Sequence, residues 1–128
     1  MNAPIHTLNW YTGWTLLLTA FLTGAGVGMV FHRDDFLGGY TSLRRRMVRL
    51  GHIALAALGM LNVMYSMSPW PRPGESMSAA ASHCFVVGGI AMPTVCFLTG
   101  WRKPFRHLFF IPVIALMAAV VFTLFGGV

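Results

Sequence analysis

The sequence predicts an all-α integral membrane protein: a four-helix up-down-up-down bundle with both termini outside. Three observations carry this. Four apolar runs, at about 10–31, 47–67, 79–99 and 108–125, each approach membrane-spanning length. The joints between them are short. Eight of the nine Lys and Arg residues fall in or beside the first and third joints.

A span of the ~30 Å hydrocarbon core takes about 20 residues of helix. No run carries Asp, Glu or Lys, and the one Arg, Arg49, lies near an end. In lipid, backbone groups of an isolated segment must bond within that segment, so the runs are helices rather than strands. The chain is 56% apolar and 9% charged over 128 residues, with mean hydropathy +0.68. A soluble domain carries about 25% charge, so this chain could not cover itself in water. One transmembrane domain, 1–128, is the expected organisation.

The first helix follows "MNAPIHTLNW", which has no basic n-region and no convincing cleavage site. It is therefore expected to be retained rather than removed as a signal peptide. Thr12, Thr15, Thr19 and Thr23 recur at three- and four-residue steps and make one stripe, extended by Gly26. Beside it Gly24 and Gly28 form a G-x-x-x-G spacing, the kind of small-residue surface on which helices approach closely. Thr15, Thr19, Thr23, Gly24 and Gly28 are thus the expected packing set, serving this chain's own helices or a partner.

The second helix follows the joint "HRDDFLGGYTSLRRR". His52, Ala56, Gly59, Val63 and Ser66 share one face with Asn62 at its edge. His and Asn are costly facing lipid, so that face should point inward. The second joint, "SPWPRPGESMS", holds three prolines that cannot continue a helix. On the third helix Ser82, Phe85, Gly89, Pro93, Cys96 and Gly100 share a face, and Pro93 removes one intrahelical bond. The third joint is "GWRKPFRH". The fourth helix is almost wholly aliphatic and aromatic and should face lipid most.

The basic residues set orientation. Arg33, Arg44, Arg45, Arg46, Arg49, Arg102, Lys103 and Arg106 lie at one end, against Arg72 alone at the other. By the positive-inside rule the first and third joints are cytoplasmic, in a cell inner membrane. Arg44, Arg45, Arg46, Arg49, Arg102 and Lys103 are expected to meet anionic headgroups. Trp10, Trp14, Trp70 and Trp101 fall near helix ends, as interface aromatics do. The net charge of +6 therefore needs no nucleic acid.

Two ligand sets are conceivable. At the cytoplasmic end His52 could share a depth with Cys96, with Met92 one turn deeper and His32 and His107 nearby. Imidazole, thiolate and thioether are the axial ligands of haem iron, so a haem b site on His52 with His32, His107, Cys96 or Met92 is one reading. At the outer end Met64, Met67, Met77, His83 and Cys84 form a soft set of the kind that selects Cu(I). The bland alternatives are a histidine bonded to a carbonyl or headgroup, and methionines that fill core gaps. Cys84 and Cys96 lie roughly 18 Å apart along one helix and cannot pair.

The only acids are Asp34, Asp35 and Glu75, all outside the spans. A carboxylate relay at mid-depth is therefore not expected. No P-loop, Rossmann fingerprint or H-E-x-x-H is present. The "RRMVR" stretch opening the second helix resembles one in small haem-binding membrane proteins of the protoporphyrinogen oxidase type. That resemblance implies a histidine inside the first helix, where this chain has only Thr, Gly and apolar residues, so it assigns no family. The expected function is a non-catalytic accessory or assembly subunit of a larger, for instance respiratory, membrane complex. The alternatives are a redox or haem b protein using His52, and a copper-handling or small-solute transport protein.

Overall fold

A computed structural model describes residues 6–69 and 75–126. It contains four long helices: α1 (Thr7–Val30), α2 (Leu43–Ser66), α3 (Ser76–Trp101) and α4 (Phe110–Phe125). A 3₁₀ segment, Lys103–Phe109, leads into α4, and no strand occurs among the described residues. Each helix, with that segment counted into the last, is long and apolar enough to cross a membrane. Trp70 and Arg72, invoked above for the outer interface, lie outside the described residues.

Three helices begin earlier than hydropathy alone suggests. α1 starts at Thr7, α2 at Leu43 and α3 at Ser76. An apolar run marks where a helix meets lipid, but its backbone bonds continue into the interface for as long as the first turn can be capped. At α2 the cap is visible: the Ser42 side chain accepts from the Arg44 N–H at 3.2 Å. Arg44, Arg45, Arg46 and Arg49 are therefore helical residues and not loop residues. The turn before them uses Gly38 (φ +87°) and Gly39 (φ +88°), a left-handed region where Cβ is penalised. Only at α4 does the regular helix start late, after the Pro104-containing 3₁₀ turns.

Sequential neighbours pack antiparallel, forming a four-helix bundle. The start of α1 meets the end of α2, where the His6 N–H donates to the Ser66 carbonyl at 3.3 Å. The start of α2 meets the end of α3, where Arg44 Nε donates to the Gly100 carbonyl at 3.0 Å. α1 also touches α3, whereas α4 packs chiefly on α3 and shares no packing seam with α1. The bundle is thus open along the side between α1 and α4.

Glycines make the two tightest helix contacts. A Cβ placed on Gly13 would sit 2.6 Å from Val63 Cγ2 and 2.7 Å from the Gly59 carbonyl oxygen. A Cβ on Gly88 would meet the Leu116 side chain at 2.5 Å. The inward face expected on α3 is real: Ser82, Phe85, Gly89, Pro93, Cys96 and Gly100 are all buried, and α3 continues through Pro93. On α4 only Pro112 and Ala119 are fully buried; Leu116 and Phe122 are half-buried against the core, and most of the rest are exposed.

These contacts predict which glycines matter. Gly13→Ala should lower the unfolding temperature in detergent, since overpacking costs about 1–3 kcal/mol. Gly28→Ala should leave it unchanged or slightly raised, because nothing lies within 4 Å of a Cβ there. Equal effects at both positions would sink this account of the α1–α2 contact.

Candidate functional site

The polar side chains within the spans gather at two levels. Near the outer ends of α1, α2 and α3 lies a buried cluster whose centre is Asn9, Asn62 and Ser82. Asn9 and Asn62 are fully buried and Ser82 nearly so. Asn9 Nδ2 donates to Asn62 Oδ1 at 2.9 Å and to the Ser82 carbonyl at 3.3 Å. The Ser82 hydroxyl donates back to Asn9 Oδ1. Asn62 Nδ2 donates to the carbonyls of Leu58 at 2.9 Å and Phe85 at 3.2 Å. An amide has two donor hydrogens, and here both are used on each residue, with each amide oxygen also engaged. The cluster therefore has no amide hydrogen left for a ligand.

Its rim is engaged too. The Tyr65 hydroxyl donates to the Ser78 carbonyl at 3.0 Å, and the His6 ring stacks on Tyr65 with centroids 4.7 Å apart. Tyr65 and Phe85 continue into an apolar cluster with Ala81 and Ala119. The sequence pattern places Asn62 at the edge of an inward face and Ser82 on another, and gives Asn9 no role. Asn9 precedes the first apolar run and looks like part of a polar tail. The signal that could have found it is that an Asn one residue before a spanning run needs a polar partner.

At the opposite end His52 is half-buried on α2 and faces α1. Its Nδ1 lies 3.1 Å from Thr23 Oγ1, and its Cε1 would be 2.8 Å from a Cβ on Gly24. Thr23 donates its own hydroxyl hydrogen to the Thr19 carbonyl at 2.8 Å. The hydroxyl and Nδ1 share one hydrogen bond, whose donor is set by the imidazole tautomer. Gly24 is needed because the imidazole occupies the space of its side chain, whereas a Cβ on Gly28 or Gly26 meets nothing within 4 Å. Thr19 follows the same i−4 pattern, donating to the Thr15 carbonyl at 2.8 Å.

The other residues singled out from sequence are dispersed. Cys96 is fully buried and packs against Gly51, the residue before His52. His32 and His107 are exposed, in the first joint and in the 3₁₀ segment. Met64 on α2 and Met67 just past its end are exposed, and His83 is exposed on α3 with Nδ1 2.7 Å from the Ala79 carbonyl. Cys84 instead turns toward the Tyr65–Phe85 cluster. Among the described residues no three His, Cys, Asp or Glu side chains come together as a metal-holding group.

Arg45 is the least expected placement. It is 1% exposed, enclosed by the protein itself. Its Nη1 donates to the Arg33 carbonyl at 3.0 Å and its Nη2 to the Phe31 carbonyl. The guanidinium lies 3.9 Å from the Tyr40 ring centroid and 4.7 Å from that of Phe31, a pair of cation–π contacts. One arginine thus bonds the carbonyls of Phe31 and Arg33, just past α1, and ties the first joint to α2.

Against known proteins, no family model, curated protein or solved structure matches the chain.

Asn62→Leu should destabilise the fold by about 1–3 kcal/mol, because it leaves Asn9 with a buried unpaired group. Replacing Asn9 and Asn62 together by Leu should cost less than the two single changes added, as directly bonded partners couple by about 0.5–3 kcal/mol. Unfolding titrations in mixed detergent measure this cycle; simple additivity would show that the amides do not act as a pair.

Proposed function

We propose that this multi-pass membrane protein is a non-catalytic accessory or assembly subunit of a larger membrane complex. The observation that carries the reading is the open side of the bundle. A groove of about 240 Å³ lies there between α1 and α3, lined by Tyr11, Thr12, Thr15, Leu16 and Ile90. Tyr11, Thr15 and Ile90 are exposed there, and α1 and α4 share no seam that would cover them. A further transmembrane helix laid in this groove would close the bundle and meet hydroxyls able to bond across the interface. The saturated Asn9–Asn62–Ser82 cluster supports the same reading, since it offers structure rather than a reactive group.

Orientation follows from charge. The eight basic residues at the Arg44–Gly100 end face the cytoplasm of a cell inner membrane, with both termini outside. Arg44, Arg46, Arg49, Arg102 and Lys103 lie against anionic headgroups there.

One observation favours a second reading, a haem b or redox protein. The Thr23–His52 bond engages Nδ1, as an outer-shell partner does for an imidazole that ligates through its other nitrogen.

A photo-reactive side chain placed at Thr15 should crosslink to a discrete larger membrane subunit in cells, while one at Met117 on the lipid face should not. Lipid adducts alone at Thr15 would sink the subunit reading. A C-terminal reporter active only in the cytoplasm should stay silent; activity would reverse the orientation. In the purified protein, an oxidised and reduced absorption spectrum with a Soret band lost in His52→Ala would move the assignment to the second reading.

A further inference from the structure

The half of α3 nearest the arginine-rich end carries a second, larger groove. It has a volume of about 420 Å³ and lies between α3 and the beginning of the last span. Ile90, Thr94 and Leu98 line one wall, and Leu108 and Ile111 the other. Thr94 spends its hydroxyl hydrogen on the Ile90 carbonyl at 2.7 Å, so the lining presents almost pure hydrocarbon. The lining begins at Val86 and ends at Leu98, and 12 residues of helix rise about 18 Å. That is close to one leaflet of a ~30 Å hydrocarbon core.

The same short segment that supplies Leu108 builds a basic pocket beside it. Lys103, Pro104, Arg106 and His107 enclose about 200 Å³ at the head of the last span. A 3₁₀ turn has three residues, so Leu108 and Ile111 face α3 while the polar side chains occupy the other faces. Arg33–Asp35, at 3.7 Å, is the one ion pair among the described residues. Lys103 and Arg106 therefore have no carboxylate to neutralise them. Trp101, exposed and carrying the Arg102 guanidinium 4.9 Å from its ring centroid, marks the same level as a water–lipid boundary.

The geometry points to a bound anionic phospholipid, one molecule per chain, with an acyl chain in the α3–α4 groove and its phosphate at Lys103, Arg106 and His107. Charge decides the occupant. A second helix or a second copy of this chain could fill an apolar groove, but this chain has no exposed acidic stretch to answer the adjoining cations beyond Asp34 and Asp35 in its own first joint. A phospholipid supplies both parts at the depths where they are needed. It enters sideways from the leaflet, since the groove faces the bilayer. The groove adjoins the Tyr11–Thr15 groove at Ile90 and extends from there toward the arginine-rich end.

The test is native mass spectrometry of the detergent-purified full chain, titrated with phosphatidylglycerol or phosphatidylcholine. The expected result is one retained phosphatidylglycerol, with phosphatidylcholine bound at least tenfold more weakly. Lys103→Ala with Arg106→Ala should remove that preference. Thr94→Phe, at an exposed lining position, should lower retention of phosphatidylglycerol at least fivefold without lowering the unfolding temperature. Arg33→Ala, in the first joint and paired with Asp35, is the control for charge alone and should change little. Equal retention of the two lipids would overturn the proposal. So would a loss in Arg33→Ala as large as in the double variant, or full retention in Thr94→Phe.

Discussion

Asn9, Asn62 and Ser82 sit where three helices converge, in a region where no solvent can satisfy an amide. Each of these side chains must find its partner on another helix, and that requirement sets how α1, α2 and α3 align along their axes. The register established at Asn9–Asn62 carries down the α1–α2 seam. One turn further in, Gly13 and Gly59 meet. Near the other end, Thr23 and Gly24 receive His52. A slip of one turn would bury unpaired amides and drive Val63 into the α1 backbone. Interhelical hydrogen bonds in membranes average only about 0.6 kcal/mol, reaching about 1.7. The cluster acts less through its summed strength than through the cost of every misaligned alternative.

α4 has no part in that constraint. Its contacts are apolar: Leu116 over Gly88, and Ala119 beside Ala81 and Phe85. Van der Waals packing of this kind discriminates weakly between protein and lipid tails, since both are hydrocarbon. The helix is accordingly held on α3, and the side of the bundle between α1 and α4 stays open. Both grooves lie along that opening and share Ile90. The same physics that leaves α4 unanchored by polar bonds produces the surfaces on which the functional proposals rest.

The arginine-rich end divides into residues that build the fold and residues that face outward. Arg45 is internal, bonded to the carbonyls of Phe31, which caps α1, and of Arg33 in the first joint, and held between two aromatic rings. Arg44 reaches the Gly100 carbonyl in the last turn of α3. These cations complement the helix C-termini, where carbonyls lack intrahelical partners and the macrodipole is negative. Counting charges by side gives the same weight to Arg45 as to Arg46, because it registers only depth along the chain and not direction around the helix.

The four spans, their class, and the inward faces of α2 and α3 were legible from residue types alone, for one physical reason. Lipid imposes a single solvent on each segment, so length, hydropathy and the placing of His52, Asn62, Ser82 and Cys96 report directly on helix and face. Short joints likewise implied antiparallel neighbours, and the contacts at His6–Ser66 and Arg44–Gly100 show them. What tertiary structure alone decided is which polar groups meet. Asn9 pairs with a residue 53 positions away, Gly24 but not Gly28 takes a side chain from α2, and Arg45 turns inward. Those outcomes depend on the rotation of each helix about its axis and on its depth against the next. Both are set by packing between helices, to which the hydropathy of any one segment is blind.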